Sequence, residues 1–431
     1  FVQFNKHIIE YMRGVYVLLL ISLLGYTGRV SGQESVTITQ CYEWARANYP
    51  QIHQMGLIDQ TERYSLSNVG KAWLPQLSVS GKASYQSDVT KLPLDGDKIS
   101  SLLPGFEIPS LSKDQYQVVA QVDQTIWDGG STRSARALTR AEAIANREQL
   151  ESELYALNDR VNQIYFGCLL QDELIRQNAL LQKELQVNIE RIEAMMENGV
   201  ANQSDLESME VELLNARQNE IELKASRTVY RQMLATFINK PLTDQVVLKT
   251  PESPERSLST QINRPELRAL DAKSEWIETQ NKQVTAGLMP RIGAFVQGGY
   301  GRPGLNMLED SFEPYYVAGV RLSWNLGKLY TLKNDRRKIE VSRRQIDVQR
   351  ETFLFNTRLQ LLQQNTEIKK MTDLMRADDD IIRLRTSIKQ AAEVKLENGV
   401  ISVTDLIREI NAEDMARQTA AAHRVQRLMT I

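Results

Sequence analysis

Few residues in this chain are equipped for chemistry. Histidine occurs three times and cysteine twice in 431 residues, too sparse for a histidine–cysteine metal cluster or a disulfide framework. No HExxH, no GxSxG, no phosphate loop and no nucleophile–base spacing occurs, so nothing points to an enzyme, a cofactor or a metal site. Gly299-Tyr300-Gly301-Arg302-Pro303-Gly304 fits the dinucleotide fingerprint, but that motif must open a helix. Here Pro303, Gly304 and a run to Pro314 follow, so a loop between two strands is expected. Asp378-Asp379-Asp380 reads as a solvated helix face, with a cation-attracting ring as the alternative. Cys168 falls on an apolar helix seam and reads as a small buried hydrophobe, while His53 and His423 stand without a ligand pattern.

Two aspartates stand out because their setting occurs twice. Glu197-Asn198-Gly199-Val200 recurs as Glu397-Asn398-Gly399-Val400, 200 residues on, and Asp205-Leu206 recurs as Asp405-Leu406. Gly199 and Gly399 suit the left-handed position that ends a helix. Asn202 and Ser402 can then cap returning helices, with Asp205 and Asp405 at the third helical position. Arg408 lies about one turn beyond Asp405.

The elements that hold these turns follow from where helix breakers are missing. All twelve prolines lie at or before Pro109 or between Pro241 and Pro314. Glycine is sparse in the proline-free stretches 110–240 and 315–431, and these residues cost about 3 (Pro) or 1 (Gly) kcal/mol inside a helix. Long helices are expected over about 131–196 and 327–396, with returns over 203–238 and 402–431. Leu150, Leu154, Leu157, Val161, Ile164, Cys168 and Ile175 keep heptad-type spacing, and Leu354, Leu361, Ile368, Met375 and Ile382 repeat every seven residues. That is the signature of helix packed lengthwise on helix.

The duplication extends upstream. Pro50 and Leu74-Pro75-Gln76-Leu77 correspond to Pro265 and Met289-Pro290-Arg291-Ile292 at an offset of 215. Trp127-Asp128-Gly129-Gly130 corresponds to Trp324-Asn325-Leu326-Gly327 at 197, so the second copy is about 18 residues shorter between these points. The first repeat spans 33–262 and the second 263–431. Each reads helix, strand, strand, long helix, return helix, and a linker over 239–262 closes the first. Strands are expected at about 76–86, 115–127, 291–301 and 315–325 from period-two alternation, with Val119 and Phe295 breaking the pattern. Alternation with terminal aromatics fits membrane β-strands, and also a half-buried sheet of a soluble protein.

Export is expected from the N-terminus. Arg13, the apolar run Val15–Leu24 and Val30-Ser31-Gly32 read as a secretory signal, so 1–32 is removed and the mature chain starts near Gln33. Ile38-Thr39-Gln40-Cys41 is a poor lipobox, and no lipid is expected on Cys41. No other apolar run is long enough for a membrane helix, leaving a β-barrel as the route into a bilayer. Four strands per chain cannot close a barrel, so strands must be pooled between copies, and three copies give twelve. The near balance of 52 basic and 54 acidic residues argues against nucleic acid.

The duplicated helix–strand–strand–helix unit, the Trp127-Asp128-Gly129-Gly130 junction and the two NGV turns with Asp205 and Asp405 resemble the TolC-like outer-membrane efflux family over about 36–431. The resemblance implies a mainly α fold with membrane β: a homotrimeric 12-stranded barrel in outer-membrane lipid, continued by an α-helical coiled-coil periplasmic tunnel. It implies a periplasmic adaptor and an inner-membrane transporter as partners, in efflux or type I secretion from a Gram-negative cell. It places Gly199, Asp205, Gly399, Asp405 and Arg408 at the periplasmic tip and gate, and Trp127, Gly129, Gly130, Trp324 and Gly327 at the strand-to-helix junctions. In the family a second aspartate follows the Asp405 position by one turn; here Arg408 stands there, so ion pairs between chains replace a purely acidic throat. A soluble periplasmic adaptor or coiled-coil rod is the competing reading, and it would carry its helices once beside a compact β domain. Cell-surface loops are expected at 87–114 and 302–313.

Overall fold

The computed structural model describes residues 35–90, 111–252, 262–307 and 309–430. The signal segment, and Pro93, Gly96, Pro104, Gly105 and Pro109 of the first expected surface loop, lie outside the described residues. In chain order the first elements are β1 (Ser35–Val36), α1 (Ile38–Asn48), α2 (His53–Lys71), β2 (Gln76–Tyr85) and β3 (Asp114–Trp127). Next come α3 (Ser131–Tyr155), α4 (Leu157–Glu197), α5 (Gln203–Ile238) and β4 (Val247–Leu248). The last are α6 (Pro265–Ala286), β5 (Arg291–Arg302), β6 (Glu313–Ser323), α7 (Lys328–Glu397) and α8 (Val403–Thr430). Two compact units emerge, 50–156 with 258–361 and 1–49 with 157–257 and 362–431, so each unit draws on both sequence repeats.

Three expectations need correction. The single helix over 131–196 is interrupted at Ala156, where the packing partner changes: α3 lies against α2 and α6, whereas α4 lies against α5, α1 and α8. No glycine or proline marks the break. The first helix of the first repeat is two, because Pro50 opens a short 3-10 turn, Pro50–Ile52, between α1 and α2. The linker 239–262 contains β4, which pairs in parallel with β1.

The sheet unit is built on four antiparallel strands in the order β2-β3-β5-β6. Register places Leu77, Val122, Val296 and Ala318 in one row, Val79, Ala120, Gly298 and Tyr316 in the next, and Gly81, Val118, Tyr300 and Pro314 beyond. Paired residues share a face, so these rows form one apolar face. Ser78, Gln121 and Gln297 lie on the opposite, mostly polar face, in a row that Val317 completes. The side chains of Leu77, Val79, Val118, Tyr316, Val320 and Leu322 are all exposed, because no helix of the unit covers the apolar face. Both exceptions to the alternation lie on the polar face and are sheltered. Phe295 lies against Gly319 under the Arg321 guanidinium, 4.8 Å away, and the Tyr315 ring covers Gly299 beside Val119. A bulge at Ile126 brings Trp127 opposite Ile292, in the apolar row of Leu322. At the far end Phe312 stacks on Tyr116 and Tyr300, with Arg302 5.6 Å from its ring. Gly299 to Arg302 therefore end a strand and open no helix, which removes the nucleotide reading. Among the helices, Ile277 of α6 packs on Ile339 and Ile346 of α7.

The helical unit has two cores. Val161, Ile164, Tyr165 and Cys168 of α4 pack with Cys41, Ala45, Leu234 and Ile238. The Tyr165 hydroxyl bonds the carbonyls of Val36 and Lys249 at 2.9 and 2.6 Å, tying the β1–β4 pair to α4. Burial pushes both cysteine thiols up to about 12, which leaves them inert. The second core joins α4, α5, α7 and α8 through Ile189, Ile192, Met209, Leu213, Leu396, Leu406 and Ile410. The heptad seam of α4 is buried, whereas Leu361 in the second copy is exposed within the chain.

Candidate functional site

The two NGV turns share one backbone pattern. Gly199 and Gly399 adopt φ of 69° and 68° in open space, a backbone state that suits glycine. Val200 N–H bonds the Met195 carbonyl and Gly199 N–H that of Met196; Val400 and Gly399 do the same to Lys395 and Leu396. These are the paired bonds of a Schellman ending. The returning helices open with reciprocal caps. Asp205 N–H donates to Asn202 Oδ1 and Asn202 N–H to Asp205 Oδ2, both at 3.1 Å. Asp405 N–H donates to Ser402 Oγ, while Ser402 N–H and hydroxyl donate to Asp405 Oδ2 at 3.2 and 2.8 Å.

Ala201, Leu206, Ile401, Val403 and Leu406 share one apolar cluster, so the structure brings both turns together. Arg191 of the first hairpin lies 3.6 Å from Glu397 of the second. Hydrogen bonds from the Ser402 hydroxyl and backbone, reinforced by Arg408, hold the Asp405 carboxyl below the usual range. Arg408 is exposed, 3.7 Å from Asp405 and 3.3 Å from Glu409.

Further along the helical unit lies a charged cluster that sequence reading misses. Lys389 of α7 pairs with Glu184 of α4 and, at 2.6 Å, with Glu413 of α8, whose side chain is only 3% exposed. Glu413 also accepts from Thr386 at 2.6 Å and from Arg417. Burial pulls the Glu413 pKa up, but the bonds from Lys389, Thr386 and Arg417 together hold it below its usual value. Asp414 beside it is pushed up to about 6 by burial, against a hydrogen bond from Gln418, with Glu184 adding to the rise. Asp378 is buried against His423, 2.7 Å from Nδ1, so one member of the aspartate run is a packed partner and His423 does not stand alone. Asp379 and Asp380 remain exposed.

The junction residues lie in the sheet unit. Asp128 accepts from Gly130 N–H at 2.9 Å and Thr132 N–H at 2.6 Å, closing the turn between β3 and α3. Partial burial raises its pKa, yet the bonds from Thr132 and Gly130 outweigh it and leave the carboxyl low. Gly129, at φ 67°, is doubly constrained: a Cβ there would sit 2.6 Å from that of Met289. Gly130, at φ 82°, faces open space. In the second copy Asn325 Oδ1 accepts from Gly327 N–H at 3.1 Å, and Trp324 Nε1 donates to the Leu288 carbonyl at 3.0 Å. Asp128 and Asn325 thus close the two junction turns, each two residues before the glycine it bonds.

Among the described residues no group of three or more His, Cys, Asp or Glu side chains is placed to hold a metal, and no helix is long and apolar enough to cross a membrane. Residues 41–240 match the family model described as outer membrane efflux protein. No curated protein sequence matches the chain. Among solved structures, CusC superposes with a TM-score of 0.64 at 14% identity, covering 91% of this chain and 90% of its own. The outer membrane protein VceC of Vibrio cholerae gives 0.61 at 12%, covering 91% and 93%. The open-state MtrE outer membrane channel of Neisseria gonorrhoeae gives 0.59 at 14%, covering 91% and 86%. The match to the outer membrane efflux protein family thus covers α1 to α5, and over nine-tenths of its length the chain shares the fold of these channels.

Proposed function

We propose that the chain is the outer-membrane channel of a tripartite efflux or type I secretion system, a homotrimer that passively conducts substrate delivered by an inner-membrane transporter and a periplasmic adaptor. One observation carries the reading. A four-stranded sheet with one uncovered apolar face and one Gln/Ser-lined face leaves both its edge strands, β2 and β6, unpaired. Such edges are a liability unless filled, and three copies closing edge to edge remove all of them while setting lipid outside and water inside. The duplicated helix hairpins then form the periplasmic part, with the 197–206 and 397–408 turns at its entrance. Asp405 and Arg408 supply the gate through ion pairs between chains, and Asp205 supports the neighbouring turn.

The test is detergent extraction from isolated outer membranes, followed by mass measurement and planar-bilayer recording. A trimer with steady conductance supports the channel. A stable monomer without conductance, or recovery in the detergent-free soluble fraction, overturns it in favour of a coiled-coil adaptor or rod. In the same recordings, replacing Asp405 and Arg408 together by alanine should raise conductance with the trimer intact. Unchanged conductance and salt dependence would make the two residues a cap and a surface charge.

A further inference from the structure

The first turns of both helices that leave the sheet are strongly basic. Residues 131–141 carry Arg133, Arg136 and Arg140 and no acid; residues 328–338 carry Lys328, Lys333, Arg336, Arg337 and Lys338 against Asp335 alone. Two short segments thus hold eight cations and one anion, in a chain whose net charge is −2. All eight side chains are exposed, and none forms an ion pair among the described residues. The charge is not scattered. Arg133, Arg136 and Arg140 stand at i, i+3 and i+7 on one face of α3, and Tyr330, Lys333 and Arg337 stand likewise on α7. At the offset of 197 that relates Trp127 to Trp324, Arg136 corresponds to Lys333 and Arg140 to Arg337, so both copies hold a cation at both positions.

The placement runs against helix electrostatics. A helix start favours anions; the Asp128 carboxylate meets the start of α3, but α7 has no acidic residue in its first turn and only the Asn325 amide before it. A ligand carrying negative charge would offset this. What precedes the cations indicates which one. Trp127 lies in the apolar row with Ile292 and Leu322, and Trp324 falls two residues after Leu322 on the same face by alternation. Both tryptophans and Leu326, Leu329 and Tyr330 are exposed, Tyr330 at 89%. An uncovered apolar strand face, then tryptophan and tyrosine, then arginine and lysine is the order of layers met on leaving a bilayer.

We propose that Arg133, Arg136 and Arg140, with Lys333, Arg336 and Arg337, form a basic collar that binds anionic phospholipid headgroups in the periplasmic leaflet of the outer membrane. The collar rests on the channel reading above. It holds the junctions at a fixed depth and makes the trimer's stability depend on lipid charge.

The test compares purified trimer with R133Q/R136Q/R140Q, with K333Q/R336Q/R337Q, and with the sixfold variant. Each is washed in neutral detergent, and retained lipid is counted by native mass spectrometry after exposure to phosphatidylglycerol or phosphatidylcholine. Native gels and conductance in the same preparations report whether the trimeric channel exists, so failure of that reading is seen separately. The wild type should retain phosphatidylglycerol over phosphatidylcholine, and high salt should erase the preference. Each triple variant should lower phosphatidylglycerol retention about tenfold or more, with phosphatidylcholine unchanged. Equal retention of the two lipids by the wild type, or an undiminished preference in the sixfold variant, overturns the collar. So does a shift of reversal potential in a salt gradient without loss of lipid, which would place these cations on the conduction path.

Discussion

At the scale of single residues, glycine is used for two different reasons that a substitution can separate. Gly130 needs only its positive φ, so Gly130→Ala should cost about 1–2 kcal/mol. Gly129 needs φ and space together, because Met289 and the Pro290 carbonyl occupy the volume a methyl would take. Gly129→Ala should therefore destabilise more than Gly130→Ala in thermal unfolding of the detergent-extracted protein, and equal losses would show that Met289 simply moves aside. Asp414 offers a pH test. Its folded pKa of about 6 lies above that of an ordinary aspartate, so ionisation costs stability as pH rises through that window, and none is lost below it. Asp414→Asn should raise stability near pH 7.5 by about 1–2 kcal/mol after allowance for solvent screening. The gain should fade as pH falls from about 6 to 4; a gain independent of pH would mean that packing, not charge, is relieved. The Asp128 carboxylate and Asn325 amide are legible from the repeated junction motif. The Lys389 cluster is not, since its carboxylate partners Glu184 and Glu413 come from two other helices.

The elements divide between those that declare themselves and those that depend on partners. Strand alternation is visible because the two faces of the sheet demand opposite side chains; Phe295 escapes the rule beneath the Arg321 guanidinium, and Val119 beside a glycine that the Tyr315 ring covers. The turns at Gly199 and Gly399 are visible because their chemistry is local. The interruption at Ala156 is invisible because it arises from a change of packing partner. The short β1–β4 pair escapes notice because two residues each, held by the Tyr165 hydroxyl, make no periodic signal. At this scale the Lys389 cluster is the fastener among three helices. Lys389→Ala leaves Glu413 buried with Arg417 as its remaining cation and should cost about 3–5 kcal/mol, whereas Lys389→Met with Glu413→Leu should recover much of that loss. Equal instability of both variants, read by chemical unfolding, would locate the effect in packing instead.

For the whole molecule, the surface left bare by one chain is the main finding. The turn after β5, with Arg302 stacked near Phe312 and paired to Asp310 at 3.7 Å, closes the loop end of the sheet. A tag inserted after Leu305, which is exposed, should be reached by antibody on intact cells; labelling only after lysis would invert the topology. The unpaired edges of β2 and β6 also have a kinetic consequence. If copies pool their strands as proposed, the sheet completes its hydrogen bonding only when they meet, whereas the cores of the helical unit lie within one chain. On that reading a lone protomer keeps open strand edges until it meets its partners, and its lifetime is set by encounter frequency. Yield should therefore rise more steeply than in proportion to expression, and a slowly made chain should be degraded before it matures.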